Sequence, residues 1–267
     1  MNPKVAIVIP VYKKLSAHLW NEAALLEQVK KVFKSRTIFL VGPNSLANEF
    51  IADERFNFIP FKNKFFKDKL TYSKLLCSQK FYQSFTNYDY IQIVQTDCWL
   101  FEDQLDEYTS KGFDYIGAPW MKNGFEGNPL PELWKVGNGG FSLRKVSTFL
   151  SVINQIENTE KGTFPVFKHF DRGIIGSLKQ TGFRNNLRHY IKSPPGEDIF
   201  WSIYVPLVFS TKGFHVADAK TAAHYSFETL PQYLYEDITK RKLPMGCHNW
   251  AYNNPDFWEK HIQIEIG

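Results

Sequence analysis

Two stretches, "VAIVIPVY" (residues 5–12) and "TIFLVG" (37–42), are unbroken apolar runs, and "HLWNEAALLEQVKKVF" (18–33) between them repeats its apolar residues at helical spacing. A strand that is apolar at every position must be covered on both faces, the situation in parallel sheets packed between helices. The order strand, helix, strand therefore predicts a βαβ unit with a right-handed crossover. The pattern extends through an expected strand at 55–60, a helix over 71–86 and a strand at 90–95. An α/β fold follows, with a mostly parallel central sheet flanked by helices.

The second half is less regular. "GFDYIGAPW" (112–120) reads as a strand halted by a proline, and "MKNGFEGNPLPELW" (121–134) as a series of turns. "KVGNGGFSLRKVSTFLSVI" (135–153) passes from a glycine-rich turn through a short strand into a helix; residues 155–196 are mixed, and "DIFWSIYV" (198–205) has helical spacing. At 267 residues the chain can bury a sizeable core, and no repeat, low-complexity tract or linker divides it.

The formal charge of +5 is modest. It favours anionic small molecules or an anionic surface over nucleic acid. The densest basic stretch is "FKNKFFKDKLTYSK" (61–74), where Lys62, Lys64, Lys67 and Lys69 alternate with Phe61, Phe65 and Phe66. It reads either as a solvated loop or as a face turned to phosphates or a membrane surface. Cys77, Cys98 and Cys247 are odd in number and lack a CxxC pair, which argues against a zinc module or a disulfide framework and for a reducing, cytoplasmic compartment. The first apolar run contains Pro10 and lacks a basic leader, so it reads as a core strand and not a signal peptide. No apolar run approaches the roughly 20 residues of a membrane span.

In parallel sheets ligands sit beyond the carboxyl ends of the strands, where the strand order switches. Pro10, Val11 and Tyr12 end the first strand, and "YIQIVQTDCWLF" (90–101) breaks into Gln95, Thr96 and Asp97. These two polar interruptions are expected at one edge, although Thr and Asp are also ordinary turn and cap residues. Asn138 and Gly139 lie in a glycine-rich turn, Glu197 and Asp198 stand at a helix start where the dipole favours carboxylates, and His224 and His248 come late. No GxGxxG, P-loop or GxSxG pattern is present.

Taken in order, "VAIVIPVYK", a strand ending in Asp, "YIGAPW", "GNGGFSLR", "GEDIFW" and a final "GCH-x-W" resemble the GT-A-type nucleotide-sugar glycosyltransferases. More narrowly they resemble a poorly described bacterial family with the same series of motifs, from about residue 4 to about residue 250. The resemblance implies one GT-A-like domain, with a nucleotide-binding half to about residue 120 and an acceptor and catalytic half beyond. It implies a nucleotide-sugar donor, UDP-linked as first choice, and a hydroxyl of a glycan or lipid-linked saccharide as acceptor, in cell-surface polysaccharide synthesis. Independently of the resemblance, the modest charge argues against nucleic acid as a partner, and the Lys and Phe stretch at 61–74 gives peripheral contact with the inner face of a membrane as an expectation.

Residue by residue, the resemblance places Pro10, Val11, Tyr12, Gln95, Thr96 and Asp97 at the nucleotide and Asn138 and Gly139 under the donor sugar. Trp120 would stack on the acceptor, or close the core. Asp198 is the first choice for the base that takes the acceptor proton, Glu197 the second, and a base there favours inversion. Arg144 and Lys69 are candidate diphosphate partners. Where the family carries Asp-x-Asp this chain reads "TDC", so only Asp97 can join His224 or His248 in holding Mn2+ or Mg2+, and imidazole suits Mn2+ better. Asp97 could also meet a hydroxyl directly. Two rivals stand beside this reading. One is a non-catalytic glycan- or nucleotide-binding module on the same fold. The other is a nucleotidyltransferase, whose expected glycine-rich loop after the first strand is missing from "PVYKKLSAH".

Overall fold

In the computed structural model, which describes residues 2–14, 20–49, 54–122, 130–159 and 186–264, the first apolar run is strand β1 (Val5–Pro10), buried at every position. It pairs in parallel with β2 (Thr37–Pro43) on one side and β4 (Tyr90–Val94) on the other, and β2 pairs in parallel with β3 (Phe56–Phe61). Helix α1 (Trp20–Val32) makes the crossover from β1 to β2. Beyond β4 the sheet turns antiparallel: β9 (Phe141–Lys145) lies against β4, and β6 (Tyr115–Ile116) against β9. The spatial order is β3-β2-β1-β4-β9-β6. This is the mixed, mostly parallel α/β sheet that the apolar runs predict.

Two expected elements divide, each for a local reason. The helix expected over 71–86 forms as α2 (Lys69–Leu76) and α3 (Gln79–Gln83). Asp68 caps α2 by accepting from the Thr71 amide at 2.8 Å, and extended Ser78 restarts the chain as α3, a role that suits serine better than a helix interior. The strand expected at 112–120 splits into β6 and β7 (Pro119–Met121) at Gly117. A Cβ on Gly117 would lie 1.8 Å from the Gly137 carbonyl oxygen, so two loops cross there in contact. Within 121–134 the structure includes part of β8 (Leu133–Val136), antiparallel to β7; residues 123–129 and 160–185 lie outside the described residues.

Helix α4 (Leu105–Ser110) precedes β6, and α5 (Val146–Asn158) buries Phe149, Val152, Ile153 and Ile156 against the sheet. The "DIFWSIYV" segment begins as a helical turn at Glu197–Ile199, widens to a π turn at Phe200–Tyr204 and resumes at Pro206–Phe209. Pro206 has no amide hydrogen and its ring would crowd a regular turn; the Val205 amide instead reaches the Phe200 carbonyl at 3.0 Å. The wider turn carries Trp201 into the core, where its Nε1 donates to the Leu76 carbonyl at 3.2 Å.

A smaller sheet sits past the end of β4. Strand β5 (Cys98–Leu100) pairs antiparallel with β11 (Gly246–His248), which pairs in parallel with β10 (Ser226–Phe227). It has its own apolar cluster around Trp99, Phe227, Trp250 and Trp258. The three cysteines are free and buried, and among the described residues no helix is long and apolar enough to cross a membrane.

A buried hydrogen bond links the two sheets. The Tyr225 hydroxyl, at the end of the helix leading into β10, donates to Gln92 Oε1 of β4 at 2.6 Å. Tyr225→Phe leaves that oxygen without its donor inside the core, so urea unfolding should show a loss of about 1–3 kcal/mol. A loss within experimental error would mean that Gln92 finds another partner.

Candidate functional site

The strand order reverses between β1 and β4, because β2 and β3 extend the sheet to one side of β1 and β4 and β9 to the other. The carboxyl ends of β1 and β4 therefore bound the switch-point crevice where open α/β sheets hold ligands. Pro10 and buried Val11 close β1, with the Val11 amide donating to Val41 O at 2.8 Å. Tyr12 follows, 43% exposed as a whole residue with its hydroxyl end turned inward. Its ring meets that of Tyr72 edge-on at 5.5 Å, and its pKa is raised, first by burial and then by Tyr72, Asp97 and Glu197. Tyr72, on whose pKa both Tyr12 and Gln95 act, lies between the two polar strand ends.

The second sheet completes this edge. The antiparallel register sets His248 opposite Cys98, and the Asn249 amide donates to the Asp97 carbonyl at 2.9 Å. His248 Nε2 consequently lies 3.3 Å from Asp97 Oδ1 and 3.3 Å from Gln95 Oε1. Glu228, just past β10, places Oε1 3.0 Å from His248 Nδ1. Burial alone would lower the His248 pKa, but hydrogen bonds and charge from Asp97 and Glu228 outweigh it and raise it to about 9. Asp97 moves the other way: burial works to raise its pKa, and the His248 interactions bring it below the ordinary value.

The glycine-rich turn forms the floor. Asn138 sits at φ 66°, a left-handed conformation that asparagine tolerates. Its Oδ1 accepts from the Gly140 amide at 2.9 Å, whereas its Nδ2 is buried without a hydrogen-bond partner. A Cβ on Gly140 would lie 2.3 Å from His248 Nε2, and one on Gly139 1.6 Å from Glu197 Oε1. Backbone therefore passes directly beneath both side chains.

Glu197 is held by Arg144, whose Nη2 lies 2.8 Å from Glu197 Oε2 with both side chains buried. Arg144 also donates to the Ser142 hydroxyl, the Tyr82 hydroxyl and the Gly139 carbonyl. Burial pushes the Glu197 carboxyl up to about 7 while Arg144 pulls against it. Burial also opposes charge on Arg144, but Glu197, Tyr82 and Tyr115 outweigh it and hold its pKa above the usual value. A guanidinium does not shed its proton in such a place, so Glu197 faces a fixed positive charge.

The remaining sequence candidates are placed as follows. Thr96 donates to Glu22 Oε1 at 3.2 Å, and Glu22 Oε2 is 2.6 Å from Lys13 Nζ, so Thr96 faces α1. Asp198 is half-buried, with Oδ1 accepting from the Ile199 amide at 2.9 Å. Trp120 lies across Gly137, where a Cβ would be 1.8 Å from its ring. Lys69 is exposed and near enough to Glu197 to lower its pKa.

Two candidates stand apart from their expected roles. His224 is exposed on the helix Ala219–Tyr225, where burial, Lys242 and Lys220 lower its pKa, and it lies outside the cluster around Asp97. Arg144 is fully buried on Glu197, so it is not available to a diphosphate. The sequence reading missed Glu228 and Tyr72. Glu228 follows a two-residue strand with no motif of its own, and Tyr72 reads as one more apolar helix position.

Asp97, Cys98 and His248 present ligand atoms all within 4.8 Å of one another. Two ligands at right angles on an ion about 2.1 Å away are about 3 Å apart, a spacing that Asp97 Oδ1 and His248 Nε2 match at 3.3 Å. Asp97 Oδ1 is moreover buried without a well-aligned hydrogen-bond donor. Cys98 fits less well: its thiol donates to the Gly140 carbonyl at 3.3 Å, and burial raises its pKa well above the usual value. The residues present therefore fit a divalent ion with two protein ligands, one oxygen and one nitrogen.

A family model described as a protein of unknown function (DUF5672) matches residues 55–248, a span that includes β4, the glycine-rich turn, Glu197 and His248. No curated protein matches the sequence. Among solved structures the chain is similar to a glycosyltransferase involved in glycosylation of the major capsid of PBCV-1, at 10% identity over 97% of this chain and 98% of that one, with a TM-score of 0.44. It is similar to the galactosyltransferase LgtC, solved with donor and acceptor sugar analogs, at 12% identity over 91% and 86%, with a TM-score of 0.48. A third likeness, to 4-diphosphocytidyl-2C-methyl-D-erythritol synthase from Anaerococcus prevotii, has 9% identity over 64% and 81% and a TM-score of 0.37.

The Arg144–Glu197 pair yields a stability prediction. Arg144→Met leaves a buried carboxylate unpaired and should cost about 3–5 kcal/mol in denaturant unfolding, and adding Glu197→Gln should return part of that loss. A single variant within about 1 kcal/mol of the parent would show that Glu197 is neutral or solvated.

Proposed function

The chain belongs to the DUF5672 family, and from the site that the end of β1 forms with residues of the matched span we propose that it is a glycosyltransferase, moving a sugar from a nucleotide-sugar donor to a hydroxyl of a glycan or lipid-linked saccharide. The observation that carries this reading is the convergence, at the switch point between β1 and β4, of Tyr12, Gln95, Asp97 and His248 above the Asn138–Gly139–Gly140 floor. Such a crevice offers an aromatic ring for a base, a buried carboxylate and imidazole for the diphosphate region, and close-lying backbone for a sugar. A UDP-linked donor is the form we favour, with Tyr12 against the uracil.

Asp97 Oδ1 and His248 Nε2 would hold a divalent ion, Mn2+ in preference to Mg2+ on this nitrogen-containing ligand pair, whose chemistry is to neutralise the departing diphosphate. Glu228 fixes His248 from the far side by accepting from Nδ1, which leaves Nε2 directed at Asp97. Asn138 Nδ2, buried without a partner, is a ready donor to a hydroxyl of the bound sugar. The neighbouring carboxylates divide their work. Glu197 is committed to Arg144 and shapes the floor, whereas Asp198 has no ion-pair partner among the described residues and is our choice for the base that takes the acceptor proton. Attack assisted from there implies inversion. Trp120, packed on Gly137 at the edge of the floor, is the proposed acceptor platform.

Calorimetric titration with UDP, UDP-sugars and GDP-sugars, with and without Mn2+, tests the reading. Uridine nucleotides should bind more tightly with Mn2+, and Asp97→Ala should weaken that binding at least about tenfold, or about 1.4 kcal/mol. Failure of every nucleotide to bind under either condition would remove the donor site.

A further inference from the structure

Lysines concentrate on one corner of the molecule, beside the mouth of the crevice. Between Phe56 and Tyr88 the sequence has six lysines and one acidic residue, Asp68, a net of five positive charges. That equals the charge of the whole chain, so the remainder is balanced. Lys62, Lys64, Lys67, Lys69 and Lys74 are all exposed, and among the described residues none has a carboxylate within ion-pair reach. Asp68, the one acid in this stretch, caps α2.

The corner is also apolar. Leu70 is 57% exposed and shares a face of α2 with Lys74, four residues on. Phe65 and Phe66 are half-buried, and Lys64 Nζ lies 5.2 Å from the Phe65 ring centroid. Phe66 meets the exposed ring of Tyr12 edge-on at 5.9 Å, and Tyr72 meets it at 5.5 Å. The patch is therefore continuous with the candidate donor site. By contrast, the basic cleft at the end of α1 is largely matched: Glu27 pairs with Lys30, and Arg36 with Asp103 and Asp106.

We propose that residues 62–74 dock on an anionic membrane surface, with the lysines among the lipid headgroups and Leu70 and the phenylalanine edges at the acyl boundary. Unpaired lysines around an exposed apolar side chain are the composition that binds such an interface, by charge and by apolar burial together. Docking would turn the crevice mouth toward the membrane, suiting an acceptor held there. That last consequence rests on the glycosyl-transfer reading, whereas docking itself does not.

Sedimentation with lipid vesicles tests the proposal. The protein should bind vesicles containing phosphatidylglycerol, bind pure phosphatidylcholine vesicles far less, and lose binding as salt rises. Lys64→Glu combined with Lys67→Glu should weaken binding at least about tenfold, the loss of two headgroup contacts at the order of fivefold each, with nucleotide binding intact as evidence of a native fold. Leu70→Ser should weaken it further, and Lys31→Glu with Lys34→Glu in the other basic cleft should leave it unchanged. Absence of vesicle binding, indifference to the Lys64 and Lys67 changes, or equal loss from the control pair would overturn the assignment. So would binding of a soluble anionic polysaccharide in place of vesicles. Nucleotide titration of the same samples separates failure of docking from failure of the donor site.

Discussion

The site depends on the antiparallel pairing of β5 with β11. Asp97 ends a short turn after β4, and by itself it would be one carboxylate at a strand terminus, as much a turn residue as a ligand. The register that sets His248 opposite Cys98 brings an imidazole to 3.3 Å from Asp97, and the adjacent β10 delivers Glu228 to its other nitrogen. Both carboxylates stabilise positive charge at this position, which is why the His248 pKa rises against the effect of burial. A cation beside Asp97, whether a proton on His248 or a metal ion in its place, is built into the architecture.

The floor obeys a second constraint, that of backbone without side chains. Gly139 and Gly140 let the chain run beneath Glu197 and His248 at distances that no Cβ could occupy, and Asn138 turns the chain in a left-handed conformation while bonding the Gly140 amide. Arg144 then anchors the turn from below through Glu197 and the Gly139 carbonyl. The ion pair thus acts as a support for the crevice, with the desolvation cost of two buried charges offset by several hydrogen bonds.

Much of the fold was legible because apolar runs and helical spacing are local signals. "VAIVIPVY" and "TIFLVG" can hardly be anything but doubly covered strands, and Asp97 stands out as a break in such a run. The division of the expected 71–86 helix was hidden because α2 and α3 keep the same apolar phase across Ser78. His224 and His248 looked alike in sequence, and only the pairing of β11 with β5 separates them. Arg144 looked like a free cation because nothing local reveals that Glu197, far along the chain, lies against it. Glu228 carried no signal at all, since its role is set by the neighbour of a two-residue strand.

Turnover is what distinguishes an enzyme from a binding module with the same crevice. The decisive measurement is release of UDP from a panel of UDP-sugars, with Mn2+ present, followed with and without glycan acceptors and compared with Asp198→Asn. Slow release from at least one donor alone, faster release with a matching acceptor, and loss of the acceptor-dependent part in the variant are expected of a transferase. A protein that binds UDP through Asp97 yet releases none from any donor, with any acceptor, would contradict this reading and leave a nucleotide-binding module in its place.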